Sequence, residues 1–141
     1  MDHVVYLDYK AKELSNLQTG LKTMIIRGAM GRKLPYGRVK EGDVLYFIEN
    51  NGDGLIKARG IVSRVMESEK LTPEESKKLI SSYKEQLKLD NALLKRFSGK
   101  RYIILVSVKD FSLLDPFKID RSEYGNMDDW LPVGEISKVR M

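Results

Sequence analysis

The 141-residue chain contains no cysteine, one histidine and one tryptophan. Without cysteine, a disulfide framework, a thiolate nucleophile and a cysteine-ligated zinc site are all excluded. The single histidine, His3, cannot form a histidine-based metal site, and no tight group of acidic residues offers a carboxylate alternative. The sequence also has neither a Walker A motif nor a dinucleotide-binding glycine fingerprint. We therefore expect no metal and no cofactor.

Long apolar runs are missing as well. The longest, Tyr102–Val106, is far shorter than the ~20 residues that a membrane-spanning helix needs. Met1-Asp2-His3 leads directly into VVYLDY, without the charged and apolar regions of a secretory signal. We expect no membrane association and a cytoplasmic location, with which the lack of cysteine agrees.

Length and composition indicate one globular unit. Apolar residues make up 42% of the chain and charged residues 32%, which is typical of a globular protein with a strongly charged surface. No repeat, low-complexity segment or linker divides the chain. We therefore predict a single domain that spans residues 1–141.

The positive charge is concentrated in residues 20–42, which we call the basic stretch. Its one acidic residue is Glu41, and the formal net charge of the whole chain is +5. The rest of the chain is therefore balanced in charge, and a local basic excess is typical of proteins that bind phosphate groups. The six basic residues are Lys22, Arg27, Arg32, Lys33, Arg38 and Lys40.

The first half of the chain reads as four strands and one helix. Short β-branched or aromatic segments predict the strands, and apolar residues three apart at Ala11, Leu14 and Leu17 predict the helix. Gly60 lies inside the fourth strand and predicts a bulge or bend. The elements are a strand over Val4–Tyr9, a helix over Lys10–Thr19, and strands over Lys22–Ile26, Val44–Glu49 and Leu55–Val65.

The second half begins with two helices over residues 73–97. Thr72, Pro73 and Glu75 form a helix-start signal with a capping box. The very apolar Tyr102–Val108 predicts an interior strand, Asp115-Pro116-Phe117 a turn, and Trp130–Ile136 an edge strand because it contains Pro132. The fold class is therefore α+β: a small, mixed, partly open β-barrel of five to six strands, with an N-terminal helix and a helical pair inserted late.

The opening of the chain resembles the ASCH domain of the PUA-like superfamily. Gly20, Lys22 and Arg27 match the glycine, lysine and arginine of the family pattern G-x-K-x-x-E-x-R, and Gly42-Asp43 matches its later G-D turn. The glutamate position is occupied by Ile25. The likeness covers about the first half of the chain. It implies a PUA-like barrel that recognises RNA or a modified nucleoside.

The motif cations are the first candidate binding residues. Lys22 would supply a point charge, and Arg27 a bidentate fork, to a phosphate or base edge. On a regular strand these two side chains lie on opposite faces, so both reach one pocket only if the strand bends or ends between them. The structural alternative is that both are solvated residues at strand ends.

The loop after the motif offers a second group of candidates. Arg32, Lys33 and Arg38 would hold backbone phosphates while Tyr36 stacks on a base. Trp130 could stack at the mouth of the pocket. The alternatives are a solvated loop, a Tyr36 that packs on the barrel rim, and a Trp130 in the core.

Three functions are compatible with these residues, and we favour a module that binds RNA or a modified nucleotide through the basic stretch. The alternative is a nucleoside- or RNA-processing enzyme on the same pocket. Some ASCH proteins resemble amidohydrolases that use a threonine at the glutamate position beside the motif lysine. Here Ile25 cannot act as a nucleophile, which leaves Lys22 and Thr23 as the catalytic candidates. A third possibility is a protein-binding adaptor that uses the late helices.

Overall fold

The computed structural model describes all 141 residues. It contains six strands, four short helices and one turn of 3-10 helix. The strands are β1 (Asp2–Leu7), β2 (Met24–Ala29), β3 (Val44–Glu49), β4 (Leu55–Glu67), β5 (Tyr102–Lys118) and β6 (Trp130–Gly134). The helices are α1 (Glu13–Thr19), α2 (Pro73–Ser82), α3 (Lys84–Leu87) and α4 (Asn91–Phe97), and the 3-10 turn spans Ile136–Lys138.

The six strands form one mixed sheet in the order β2-β5-β4-β3-β1-β6. Strands β1 and β3 are parallel, and the other four pairs are antiparallel. The sheet curls into a half-barrel, with β2 at one edge and β6 at the other. This confirms the predicted α+β half-open barrel, including the interior position of β5 and the edge position of the strand that contains Pro132.

Both faces of the sheet are buried, and successive side chains along each strand point to opposite faces. In β2, Ile25 points into the half-barrel, whereas Met24 and Ile26 face the helices. Strand β5 repeats this pattern, with Ile104 inside and Ile103 outside. Helices α2 to α4 cover the outer face of β2 and β5 through a shared apolar cluster that includes Ile80, Leu87, Leu93 and Phe97. No helix has the length and apolar character needed to cross a membrane.

Gly60 is the bend that the sequence predicts in β4. A Cβ atom at this position would lie 2.5 Å from Val108 Cγ1 and 3.3 Å from Phe47 Cε2. The pairing of β4 with β5 also shifts register between Arg59 and Ile61. A side chain cannot fit there, so glycine lets the sheet curl tightly around Phe47.

The prediction of a turn at Asp115-Pro116-Phe117 is wrong, because β5 continues to Lys118. The pairing with β4 jumps from Phe117 opposite Ile56 to Leu113 opposite Ala58. Pro116 lies within this interruption, where a missing N–H removes no regular ladder hydrogen bond. The first helix also begins later than predicted, at Glu13, because Lys12 adopts a left-handed conformation with φ 57°.

Trp130 and the single histidine form a buried hydrogen-bonded pair. Trp130 Nε1 donates to His3 Nδ1 at 3.1 Å, and His3 Nε2 lies 2.8 Å from Asp43 Oδ2. Since the indole nitrogen can only donate, His3 carries its proton on Nε2 and donates it to Asp43. Both rings are almost fully buried, His3 at 0% and Trp130 at 1% exposure. Trp130 is therefore a core residue that ties β6 to β1.

Burial lowers the pKa of His3 below its ordinary value of 6.5, and the hydrogen bond to Asp43 only partly offsets this effect. The folded protein thus binds fewer protons than the unfolded chain below pH 6.5. We expect the free energy of unfolding to have its full His3 contribution above that pH and to lose it as the pH falls. Urea unfolding between pH 7.5 and 5 measures this loss.

The variant His3→Gln provides the control, because it removes the only histidine of the chain. Its free energy of unfolding should depend much less on pH in that range, although the variant is less stable at pH 7.5. Equal pH dependence in the variant and the wild type would show that His3 does not cause it.

Gly60→Ala tests the close approach at the bend. We expect the new methyl group to destabilise the protein by about 1–3 kcal/mol, because Val108 is stiff and must move. Adding Val108→Ala should recover part of that loss, so the two substitutions should not be additive in urea unfolding. Gly31→Ala is the matched control, since no atom lies within 4 Å of its added Cβ.

Candidate functional site

A groove opens where β2 and the end of α4 meet the loop 121–129. It consists of two connected compartments with volumes of about 90 Å³ and 360 Å³. Loop 28–36 and Tyr102 bound the smaller compartment, while Tyr6, Asn50 and Arg121 lie on the larger one. Five residues line both compartments: Arg27, Arg96, Phe97, Met127 and Asp129.

Arg27 lies at the centre of the groove and spans the gap between the two edges of the sheet. It extends from β2, and its side chain is only 11% exposed. Nη1 donates to the Ile26 carbonyl at 2.9 Å, and Nη2 donates to the Tyr6 carbonyl of β1 at 2.5 Å. The guanidinium also lies 5.6 Å from the ring centre of Trp130 in β6. Two carbonyls and one aromatic face therefore fix its position.

The carboxylate of Asp129 lies between two arginines. Its Oδ2 atom is 3.2 Å from Arg27 Nε and 4.0 Å from Arg96 Nη2. The shorter contact is an ion pair by distance, but it is not aligned as a hydrogen bond, and the buried Arg27 Nε has no hydrogen-bond partner. A charged donor thus faces the groove without its preferred acceptor.

An aromatic wall borders the smaller compartment. The Tyr36 hydroxyl donates to the Ser68 carbonyl at 2.7 Å, and its ring meets that of Tyr102 edge to face at 5.9 Å between centres. The Arg32 guanidinium lies 5.4 Å and 5.6 Å from the centres of these two rings. Tyr36 thus packs on the rim and also lines the groove, with an exposed cation above it.

Two other predicted cations differ in position. Lys33 is exposed and lines the smaller compartment. Arg38 is not among the residues that line either compartment. Its charge instead contributes to lowering the pKa of the buried His3.

Lys22 is buried in an ion pair and does not line the groove. It is 1% exposed, with Nζ 3.2 Å from Glu13 Oε2 and donating to the Leu87 carbonyl at 2.5 Å. Burial lowers the pKa of Lys22, although the charge of Glu13 raises it in opposition. Glu13 lines the larger compartment and also accepts the Asp8 N–H at 2.8 Å. It therefore separates Lys22 from any ligand in the groove.

The structure brings some of the predicted binding residues together and separates others. Arg27, Lys33 and Tyr36 line one groove, with Arg32 stacked beside them. Lys22, Trp130 and Arg38 do not join them, since the first two are buried and the third lies elsewhere. Thr23 is exposed, and its backbone pairs with Gln86 and Val108 instead of reaching Lys22 or the groove.

Three groove residues carry no signal in the sequence. Arg96 ends a short helix, Tyr102 begins a strand, and Asp129 follows an irregular polar segment. Each type is common at such positions. They meet Arg27 only through the pairing of β2 with β5 and the passage of loop 121–129 over the open end of the half-barrel. A sequence pattern within the basic stretch could not identify them.

The buried pair of Lys22 and Glu13 generates a prediction about stability. Lys22→Met should lower the free energy of unfolding by about 3–5 kcal/mol, because it leaves the Glu13 carboxylate buried without a cation. Adding Glu13→Gln should recover a substantial part, since the amide oxygen can still accept the Asp8 N–H. Urea unfolding of both variants measures this difference. A Lys22→Met protein as stable as the wild type would contradict the assignment.

Comparison with known proteins connects this architecture to one fold family. No family model and no curated protein matches the sequence. Crystal structures of the ASCH protein from Zymomonas mobilis are similar to the chain as a whole. A tyrosine-to-phenylalanine variant of that protein is 11% identical, with a TM-score of 0.69 over 99% of each chain. A second crystal structure, of ASCH from Zymomonas mobilis, is 14% identical, with a TM-score of 0.66 over 92% of this chain and 85% of that one.

These similarities agree with the motif at Gly20, Lys22 and Arg27 and with the turn at Gly42-Asp43, and together they show that this chain has the ASCH fold.

Proposed function

We propose that this protein binds RNA or a nucleotide through the groove between loop 28–36 and loop 121–129. The observation that carries the proposal is the fixed Arg27 guanidinium, whose Nε donor is buried at the groove and has no hydrogen-bond acceptor. A phosphate oxygen would supply that acceptor. The ASCH fold, for which the resemblance implies RNA or nucleoside recognition, supports the same class of ligand.

The residues around Arg27 divide into two roles. Lys33 and Arg96 are exposed cations that line the groove, and they would bind successive phosphates. Tyr102 and Tyr36 offer aromatic surface beside them, and the Arg32 guanidinium above these rings provides a flat cation on which a base can stack. A groove with cations on both sides and an aromatic wall matches the requirements of a single strand.

We do not propose a catalytic role for Lys22 and Thr23. A nucleophile and its base must lie within hydrogen-bond reach of each other and of the substrate. Here the amine of Lys22 is enclosed by Glu13 and the Leu87 carbonyl, and Thr23 is exposed outside the groove. Binding is therefore the function that the groove supports best.

Charge reversal at the groove tests the proposal. We expect Lys33→Glu and Arg96→Glu each to weaken the binding of a fluorescent single-stranded oligouridylate by about fivefold or more, because each removes a phosphate contact and adds repulsion. The dependence of log K on log salt should also become shallower by about one unit per lost contact. Fluorescence anisotropy at two salt concentrations measures both effects.

Lys77→Glu is the matched control. Lys77 is exposed on α2, outside the groove, and its reversal changes the net charge by the same amount. An equal loss of affinity in this control would show that RNA responds to overall charge. Unchanged affinity in both groove variants would show that RNA does not bind at the groove.

A further inference from the structure

We infer that Arg27 and Arg96 form a subsite for a terminal phosphate monoester and that Asp129 occupies this subsite in the ligand-free protein. The inference rests on the proposed function, because it specifies which part of an RNA or nucleotide the groove would select. A ligand enters this subsite only if its anion displaces a carboxylate that is already present.

The geometry of Arg27 leaves one nitrogen for an incoming anion. Nη1 and Nη2 each donate to a backbone carbonyl, which fixes the plane of the guanidinium. Nε is the guanidinium nitrogen without a hydrogen-bond partner, and it lies 3.2 Å from Asp129 Oδ2. Asp129 therefore supplies charge to this position but not a well-aligned acceptor. When the carboxylate rotates away, an oxygen of a tetrahedral phosphate can supply that acceptor.

Arg96 completes the subsite. Its side chain is 59% exposed, and its guanidinium lies over the ring of Phe97 at 5.4 Å and reaches Asp129 only at 4.0 Å. This distance is the limit of an ion pair, so little is lost when Arg96 moves to a different anion. Arg27 thus provides a fixed donor and Arg96 an adjustable one, and the same carboxylate neutralises both.

The position of Asp129 in the chain makes it a persistent competitor. Its backbone carbonyl accepts the Tyr6 N–H at 2.9 Å, and the next residue is the buried Trp130. The carboxylate can rotate away but cannot leave the neighbourhood, so its effective concentration at the subsite stays high. A ligand must therefore offer more than the single negative charge that it displaces.

This competition selects between the two kinds of phosphate in RNA. An internal phosphodiester carries one negative charge, so it only replaces the single negative charge that Asp129 already supplies. A terminal monoester carries about −1.5 to −2 at pH 7, because its second pKa is about 6. The smaller compartment has three cations, Arg27, Lys33 and Arg96, and Asp129 is its one carboxylate. The exchange is therefore favourable for a monoester and close to neutral for a diester.

The larger compartment would not accept the phosphate equally well. Its lining also holds three cations, Arg27, Arg96 and Arg121, but these face four carboxylates, Asp8, Glu13, Asp128 and Asp129. A dianion placed there would meet more negative than positive side chains. The terminal phosphate is therefore expected at the smaller compartment, with the rest of the ligand directed toward Lys33 and Tyr36.

The test compares two forms of one short oligouridylate, with a 5′-phosphate and with a 5′-hydroxyl, by fluorescence anisotropy of a 3′ label. We expect wild-type protein to bind the phosphorylated form about two- to fivefold more tightly, the range of one partly exposed ion pair. In Asp129→Asn both forms should bind more tightly, and the phosphorylated form should gain more, because its terminal phosphate is the group that displaces Asp129. The preference of the wild type should decrease as the pH falls through about 6.

The control variant is Glu123→Gln, which removes one negative charge from an exposed position in the same loop. It should leave the preference for the phosphorylated form unchanged. An equal effect of Glu123→Gln and Asp129→Asn would overturn the inference, because the loop would then act only through its net charge. Weaker binding of both forms by a folded Asp129→Asn protein would also overturn it, because Asp129 would then support the site instead of competing for it.

Inorganic pyrophosphate separates this inference from the proposed function. If no oligonucleotide binds but Asp129→Asn binds pyrophosphate more tightly than wild type, with a shift of the Arg27 Nε–H resonance, the subsite is real and the proposed RNA function fails. In the opposite case, RNA binds the wild type and Lys33→Glu weakens that binding, but Asp129→Asn changes neither the preference for the phosphorylated form nor the affinity for pyrophosphate. The proposed binding of RNA at the groove then stands, and the subsite is refuted.

Discussion

The guanidinium of Arg27 is the interaction on which the shape of the site depends. A six-stranded sheet that curls without closing leaves two edges, here β2 and β6, with no ladder between them. Arg27 bridges this gap by donating from β2 to the Tyr6 carbonyl of β1 while lying over Trp130 of β6. Hydrogen bonds from a charged donor contribute about 1.5–3 kcal/mol. The same contacts hold the two sides of the groove at a fixed separation, so the stability of the half-barrel and the geometry of the site have one cause.

Strand alternation explains why neighbouring cations have different roles. Arg27 shares the inner face of β2 with Ile25 and emerges at the open end of the half-barrel, whereas Lys22 precedes the strand and turns toward the helices. There it is enclosed with Glu13 and stabilises the attachment of α1 to α3 instead of contacting a ligand. A basic excess in a sequence therefore counts the cations but does not say which of them share a surface. In this chain Arg27 reaches the groove because it lies on the inner face of β2.

Local chemistry made most of the fold predictable. Short β-branched and aromatic segments located the strands, Thr72 and Glu75 form the capping box that their spacing indicated, and Gly60 lies at the bend. The errors arose where long-range pairing overrides local preference, as in the continuation of β5 through Pro116. The site was less predictable for the same reason. Arg27, Lys33 and Tyr36 come from the basic stretch, but Arg96 and Asp129 reach them only through the curled sheet, and Trp130 is buried by its hydrogen bond to His3.

Ile25 occupies the glutamate position of the pattern G-x-K-x-x-E-x-R. It is fully buried against the inner core and pairs in register with Val106, so the position that holds glutamate in the ASCH pattern serves packing here. The polar residues of the groove lie at the open end of the strand, where Arg27 meets the carboxylate of Asp129. A ligand must displace this internal carboxylate, which lowers the affinity for every anion. Specificity is a difference between affinities, and here it comes from the stronger attraction of a dianion to the two arginines.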